Sequence, residues 1–302
     1  MEARLQPEAQ EGSGLLAFDV DGTLIPYGGV ISPRVRQAME QAQAAGWRLT
    51  ILTGRSWPEL RPILRQIPWF SGPVACANGA VVAQAPGGEL LRVRRLEREA
   101  ALRAVRLLEE ERALFWVYGV EEAYVGWRTW RDRIARDPIL GKARALGWLV
   151  RALRFRRVGF RAVRRTLEVV ERLDAPPTHL TVLVRPEALE AERERYRALF
   201  PEFQVEAVTE ASLDFLPPGS DKGEALLAVA RLHGIDPRRT VMVGDNFNDV
   251  PAFKAAGYAV VMGGAPREVR RHADVVAPAA REDGAAWAVA HLLARDEHRS
   301  GR

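Results

Sequence analysis

The sequence predicts an α/β fold: a doubly wound parallel sheet interrupted by an inserted α+β domain. Three observations carry this expectation. An apolar run, Leu15-Leu16-Ala17-Phe18, ends in Asp19-Val20-Asp21-Gly22-Thr23, as a buried strand ends at a polar sheet edge. Strand and helix signals then alternate through Asn78-Gly79, which is the rhythm of parallel βαβ units. After a middle stretch of different character, that rhythm resumes at Leu213.

Each element has its own local warrant. Gly28-Gly29 marks a turn after the first strand. The next helix is signed at both ends, with Ser32 as N-cap, Pro33 at the first helical position and Gly46 past its end. A strand from Trp47 to Leu52 stops at Thr53-Gly54-Arg55, and a second capped helix opens near Ser56-Trp57-Pro58. The strand from Val74 to Ala77 stops at Asn78-Gly79, and Pro86-Gly87-Gly88 closes the segment. The middle stretch mixes Arg-rich helices with strands such as Leu114 to Tyr118 and Leu180 to Val184. Beyond it, Lys222 opens a helix that ends at Gly234, and a strand from Thr240 to Val243 runs into Gly244-Asp245. Tyr258 to Met262 and Val275-Val276 read as two further short strands. The expected domains are a core of 1–88 with 212–302 and an insert of 89–211. Polar residues at successive strand ends place a site along the carboxyl edge of the sheet.

Composition narrows the function classes. At 302 residues, one large or two medium domains are expected. An apolar share of 47% with 27% charged residues is that of a globular protein. No run approaches the roughly 18 apolar residues of a membrane span, which excludes a pump. The polar, acidic stretch from Met1 to Gly14 lacks a secretory pattern. One cysteine, Cys76, leaves no internal disulfide and suits a cytoplasmic location; its apolar neighbours make it a core residue. Rare residues say more. Only three of the 44 basic residues are lysines, Lys142, Lys222 and Lys254, and the only asparagines are Asn78, Asn246 and Asn248. A bias that has replaced nearly every Lys and Asn points to the survivors, because Arg is a planar fork and cannot stand in for a compact ammonium.

Four signals fall in the core: the Asp19/Asp21 pair, Thr53-Gly54, Lys222, and Gly244-Asp245-Asn246-Phe247-Asn248-Asp249. Taken singly, each has an ordinary explanation as a turn, a helix approach, a surface lysine or an Asx cap. Two carboxylates at i and i+2 on a strand share a face, which suits a hard cation and a nucleophile beside an acid/base partner. Together the four supply oxygen ligands, a hydroxyl, an ammonium and backbone N–H groups, which is what a phosphoryl group with Mg²⁺ requires.

In order and spacing these segments resemble the haloacid dehalogenase superfamily of phosphohydrolases. The insert between the second and third motifs, with Cys76-Ala77-Asn78-Gly79-Ala80 before it, resembles the Cof-type branch (class IIB, C2B-capped). So do Val261-Met262-Gly263-Gly264-Ala265, Ala273-Asp274-Val275-Val276 and Glu282-Asp283-Gly284. The resemblance implies Asp19 as nucleophile, forming an aspartyl-phosphate, and Asp21 as the acid and base. It implies Mg²⁺ on the Asp19 carboxylate, the Asp21 backbone carbonyl and Asp245. Thr53, Gly54, Lys222 and Asn248 would bind the phosphoryl oxygens, Asp249 would orient Lys222 or the metal's water shell, and Asn78 would support them. Gly264 and Asp221 depart from the usual Asn and Ser/Thr and would bear on the leaving-group pocket, while Pro251 and Phe253 read as packing changes. The implied enzyme is a phosphomonoester hydrolase acting on a small phosphorylated substrate, with a phosphomutase as the alternative within the superfamily.

The middle of the chain is strongly basic. Residues 90–200 hold 25 Lys/Arg against 16 Asp/Glu, and Arg128 to Arg165 holds 13 basic residues and two acids. Such a surface suits steering of anionic substrates, a merely solvated face, or an anion-binding module. Leu146, Leu149 and Leu153 recur at helical spacing among the arginines between Lys142 and Val158, a pattern that also suits nucleic acid or an anionic membrane.

Overall fold

The computed structural model describes residues 14–126, 160–209 and 211–300. The chain divides into two compact units. One comprises Met1–Arg55, Leu60–Arg92 and Ser220–Arg302; the other comprises Val93–Gly219 with Ser56–Glu59.

The first unit opens with β1 (Gly14–Phe18), α1 (Pro33–Ala44), β2 (Trp47–Leu52), α2 (Trp57–Leu64), β3 (Gly72–Cys76), β4 (Val81–Ala85) and β5 (Glu89–Val93). The α1 caps are as the sequence predicts: Ser32 accepts the Val35 N–H and Pro33 leads the helix. The insert carries α3 (Arg98–Glu110), β6 (Leu114–Tyr118), β7 (Ala123–Gly126), β8 (Phe160–Val163), α4 (Thr166–Arg172), β9 (His179–Leu183), α5 (Leu189–Leu199), β10 (Gln204–Thr209) and β11 (Ser212–Leu216). The chain then returns through α6 (Lys222–Leu232), β12 (Thr240–Gly244), α7 (Val250–Ala255), β13 (Tyr258–Met262), α8 (Arg267–Arg270), β14 (Val275–Ala277) and α9 (Gly284–Ser300).

The first unit is built on an eight-stranded sheet in the order β14-β13-β12-β1-β2-β3-β4-β5. Its neighbours from β14 to β3 run parallel, and β4 turns antiparallel on β3. β1 lies between β12 and β2, the point at which the winding reverses, so three loops diverge from adjacent strand ends. Leu15 and Ala17 of β1 join Ala225, Leu226 and Val229 of α6 and Phe253 of α7 in one buried cluster. Phe253, one of the departures from the family pattern, thus serves packing: it is buried. α1 and α9 pack together.

The second unit is a six-stranded sheet, β10-β11-β9-β6-β7-β8, antiparallel except between β7 and β8. Phe115 and Val117, Leu180 and Val182, and Leu213 and Phe215 alternate onto one face. They form a core there with Ala104 and Leu108 of α3, Val170 of α4 and Tyr196 of α5.

Two expectations about the joins need correction. Ser212–Leu216 does not resume the core; as β11 it pairs with β9 and β10 in the second sheet. Pro86-Gly87-Gly88 is the turn between β4 and β5, both strands of the first sheet. The units therefore divide at Arg92/Val93 and Gly219/Ser220 rather than at 88/89 and 211/212. A five-residue, fully buried strand reads the same in either sheet, and only its pairing partners tell them apart.

The segment from Lys142 to Val158 lies outside the described residues. Of the basic stretch, Arg161 pairs with Glu122, and Arg165 lies 3.6 Å from Glu109 and 3.8 Å from Glu168. Among the described residues no helix is long and apolar enough to cross a membrane.

Candidate active site

The site lies in the first unit, where β1, β2, β3 and β12 end. The parallel register sets Phe18 opposite both Ile51 and Val243. Asp19 is therefore flanked by the Thr53 and Asp245 turns, and its own N–H donates to the Val243 carbonyl at 2.9 Å. Gly22 turns the chain with φ +82°, and a Cβ there would lie 2.1 Å from Asp245 Oδ2. Only a glycine lets this turn close on the carboxylate.

Lys222 is the centre of the arrangement. As the first residue of α6 it is 1% exposed, and its Nζ donates to Asp19 Oδ1 at 2.6 Å and to Asp249 Oδ1 at 2.5 Å. Asp221, immediately before it, caps the helix by accepting the Glu224 N–H. That departure from the family's Ser/Thr thus has a capping role. At Gly264 an added Cβ would meet only the Ala279 Cβ, at 3.9 Å. Asp249 turns its second oxygen to the N–H groups of Asp245 and Asn246, each at 2.9 Å. Its acceptors are thus given to fixing Lys222 and the Asp245 turn.

Asp245 is held from the other side. Thr23 Oγ1 donates to its Oδ1 at 3.4 Å and the Tyr27 hydroxyl to its Oδ2 at 3.2 Å. Tyr27, in the loop after β1, is a contact that the sequence did not signal. Ligand oxygens of Asp19, Asp245 and Asp249 all lie within 4.8 Å of one another. Three buried carboxylates share one ammonium. Burial, with the charges of Asp249 and Asp245 behind it and Lys222 against it, pushes the Asp19 carboxyl well above the usual carboxylate range. Burial and then Asp249 push Asp245 up to about 7. Burial pulls Lys222 down, but Asp19 and Asp249 outweigh it and hold the ammonium above its ordinary pKa. This surplus of buried negative charge, all on hard oxygen donors, fits a divalent cation.

The second and third strand ends interlock. Thr53 N–H donates to the Ala75 carbonyl, the Asn78 N–H to the Thr53 carbonyl, and the Arg55 N–H to Thr53 Oγ1 at 3.1 Å. Ala77 and Asn78 both adopt positive φ, +50° and +51°, a conformation Asn tolerates better than most residues. Asn248 Nδ2 donates to Asn78 Oδ1 at 3.0 Å, and a Cβ on Gly54 would lie 3.3 Å from that oxygen. Gly54, Asn78 and Asn248 thus meet in one place, and Thr53 keeps its hydroxyl hydrogen to donate. The Asp21 carboxylate is held apart from the acidic cluster by Arg55, a second residue to which the sequence assigned no role.

A parallel sheet with a buried carboxylate–ammonium–carboxylate array at its switch point is a site suited to a strongly anionic group beside a divalent cation. A family model for haloacid dehalogenase-like hydrolases matches residues 16–289, and the chain belongs to that family. Among curated proteins it is similar to phosphatase YwpJ of Bacillus subtilis, 28% identical over 92% of this chain and 99% of the relative. It is also similar to 5-amino-6-(5-phospho-D-ribitylamino)uracil phosphatase YwtE of the same organism, 25% identical over 92% and 97%. A solved haloacid dehalogenase-like hydrolase from B. subtilis superposes with a TM-score of 0.78 at 26% identity, covering 92% of this chain and 99% of that one. The subclass IIB sugar phosphatase BT4131 shares the fold, with a TM-score of 0.72 at 20% identity over 92% and 98%. This chain is a phosphatase of the family, with the parallel core and inserted cap domain of the Cof-type, class IIB branch.

Proposed function

We propose that the protein is a Mg²⁺-dependent phosphomonoester hydrolase that passes the phosphoryl group through Asp19. Its substrates would be small phosphorylated metabolites, sugar phosphates or phosphorylated cofactors; the YwtE relative, a 5-amino-6-(5-phospho-D-ribitylamino)uracil phosphatase, supports that class. The buried contact between Lys222 Nζ and Asp19 Oδ1 at 2.6 Å carries the proposal. It aims a carboxylate and fixes a positive charge beside the same atom, as attack on a phosphoryl group needs.

Asp19 would attack phosphorus as the bond to the leaving oxygen breaks, and Asp21 would deliver a proton to that oxygen. The resulting Asp21 carboxylate would take a proton from water, which attacks the phosphoryl-aspartate and releases phosphate and Asp19. Lys222, the Thr53 hydroxyl, the Gly54 N–H and the Asn248 amide would bind phosphoryl oxygens whose charge is spread in the transition state. Asp249 keeps Lys222 in place. Asp19, Asp245 and the Asp21 backbone carbonyl would hold Mg²⁺, which when bound neutralises charge on the phosphoryl group. The buried lone cysteine, Cys76, suits a reducing cytoplasm.

The test is a phosphate-release screen of phosphorylated metabolites with and without Mg²⁺. Release that requires Mg²⁺ and is lost in Asp19→Asn is expected. Transfer to a second sugar phosphate without phosphate release would make the protein a mutase instead, and turnover unaffected by Asp19→Asn would place the nucleophile elsewhere.

A further inference from the structure

Each acid of the site has its own tether, and that of Asp21 is Arg55. Arg55 Nε lies 2.6 Å from Asp21 Oδ2, and its terminal NH2 nitrogen lies 2.7 Å from Oδ1. Two parallel N–H···O bonds fix a carboxylate's position and plane together, which an ammonium cannot do. The side chains are 28% and 32% exposed, so the pair stands at the open side of the site rather than in the core. Among the described residues, Arg55 is the only partner of the Asp21 carboxylate.

The base of Arg55 is equally well held. Its N–H donates to Thr53 Oγ1 at 3.1 Å, and its carbonyl accepts the Ala77 N–H at 2.8 Å. The guanidinium thus starts from the turn that carries Thr53 and Gly54 and ends on the carboxylate after the β1 strand. Asp19 is separately fixed by Lys222. The placement of nucleophile and acid/base group relative to each other therefore depends on two tethers, one from the start of α6 and one from the turn after β2.

We propose that Arg55 is a positioning residue for Asp21, holding its carboxylate in register with the leaving oxygen. The assignment rests on the phosphatase function proposed above. It separates Arg55 from the phosphoryl-binding set, since its Nε and one terminal nitrogen are engaged by Asp21. Misplacement of a catalytic group by about 1 Å costs on the order of 10²-fold in rate. The loss should be concentrated in the step that Asp21 serves.

The experiment compares wild type, Arg55→Ala and Arg55→Lys on an alkyl phosphate and on p-nitrophenyl phosphate, with melting curves for each protein. In Arg55→Ala, kcat on the alkyl ester should fall about 10- to 10²-fold, with a much smaller loss on p-nitrophenyl phosphate, which needs little help from an acid. KM and inhibition by orthovanadate should hold. Arg55→Lys should lose nearly as much, because it cannot form the fork. Millimolar methylguanidinium should restore part of the Arg55→Ala rate, and none in Arg55→Ala combined with Asp21→Asn. Equal losses on the two esters, or weaker vanadate inhibition with kcat kept, would overturn the assignment, the second result making Arg55 a phosphoryl ligand. Full activity in Arg55→Ala would overturn it too. A wild type that releases phosphate with Mg²⁺ neither from these esters nor from any metabolite of the screen overturns the proposed hydrolysis, and the assignment with it.

Discussion

Replacing Asp245 with Asn should change how stability depends on pH, and Mg²⁺ should reverse the change. Without a cation the Asp245 carboxyl is raised from 3.8 to about 7. A group whose folded pKa is raised binds its proton more tightly in the folded state. Its stabilisation is full below about pH 4 and is lost as pH rises through about 7. Three pH units at about 1.4 kcal/mol each give about 4 kcal/mol as the upper size of the loss. Asp19 is pushed the same way and adds to the slope. Mg²⁺ binds the ionised carboxylates, so its stabilisation should grow over the same interval and level off above it, reaching about 2.7 kcal/mol at a hundred times its Kd. The assay is thermal or urea unfolding from pH 5 to 8, with EDTA or with Mg²⁺. Wild type in EDTA should lose stability as pH rises. Asp245→Asn should show a flatter profile, be more stable than wild type above pH 7, and no longer respond to Mg²⁺. A variant with the wild-type pH slope, or Mg²⁺ stabilisation that is equal at pH 5 and pH 8, would mean that Asp245 is not the group that titrates and binds the cation.

Four other substitutions follow from the same geometry. Lys222→Arg keeps the charge but brings a guanidinium where two oxygens sit 2.5 and 2.6 Å from one nitrogen; kcat/KM should fall about 10²-fold, or about 2.7 kcal/mol, by steady-state kinetics. Lys222→Met leaves Asp19 and Asp249 buried without their ammonium and should cost about 3–5 kcal/mol in EDTA, read by urea denaturation. Gly22→Ala forces a Cβ onto Asp245 at a φ of +82°; about 1–3 kcal/mol of stability should be lost, and Mg²⁺ titrated by calorimetry should bind more weakly. Tyr27→Phe removes one donor from Asp245, so the same titration should show weaker Mg²⁺ binding with little change in melting temperature.

The site was legible in the sequence from two sources: the strand-end positions of Asp19, Asp21, Thr53 and Asp245, and the scarcity of certain residue types. Lysine and asparagine are so rare here that Lys222, Asn78 and Asn248 stood out, and the structure brings Asn78 and Asn248 into contact and sets Lys222 between two acids. Arg55 carried no such signal, because arginine is the common cation of this chain. Tyr27 was hidden for another reason: it acts through one hydroxyl from an irregular loop, where no periodicity points to a direction. In the fold, helix caps were readable because Ser32 and Pro33 act locally. The assignment of β11 to the second sheet was not, since Ser212–Leu216 is buried throughout and pairing is decided by residues far along the chain. The β4–β5 hairpin was missed similarly, its turn residues resembling a domain boundary.

In the mechanism proposed above, Asp19 carries the phosphoryl group. Rapid acid quench of the enzyme turning over a ³²P-labelled phosphate ester with Mg²⁺, followed by peptide mapping, tests it most directly. The predicted result is a hydroxylamine-sensitive label on the peptide containing Asp19, formed before steady-state release of phosphate and absent in Asp19→Asn. Steady release of phosphate with no protein-bound label at any quench time, in an enzyme whose Asp19→Asn variant still turns over, would contradict it.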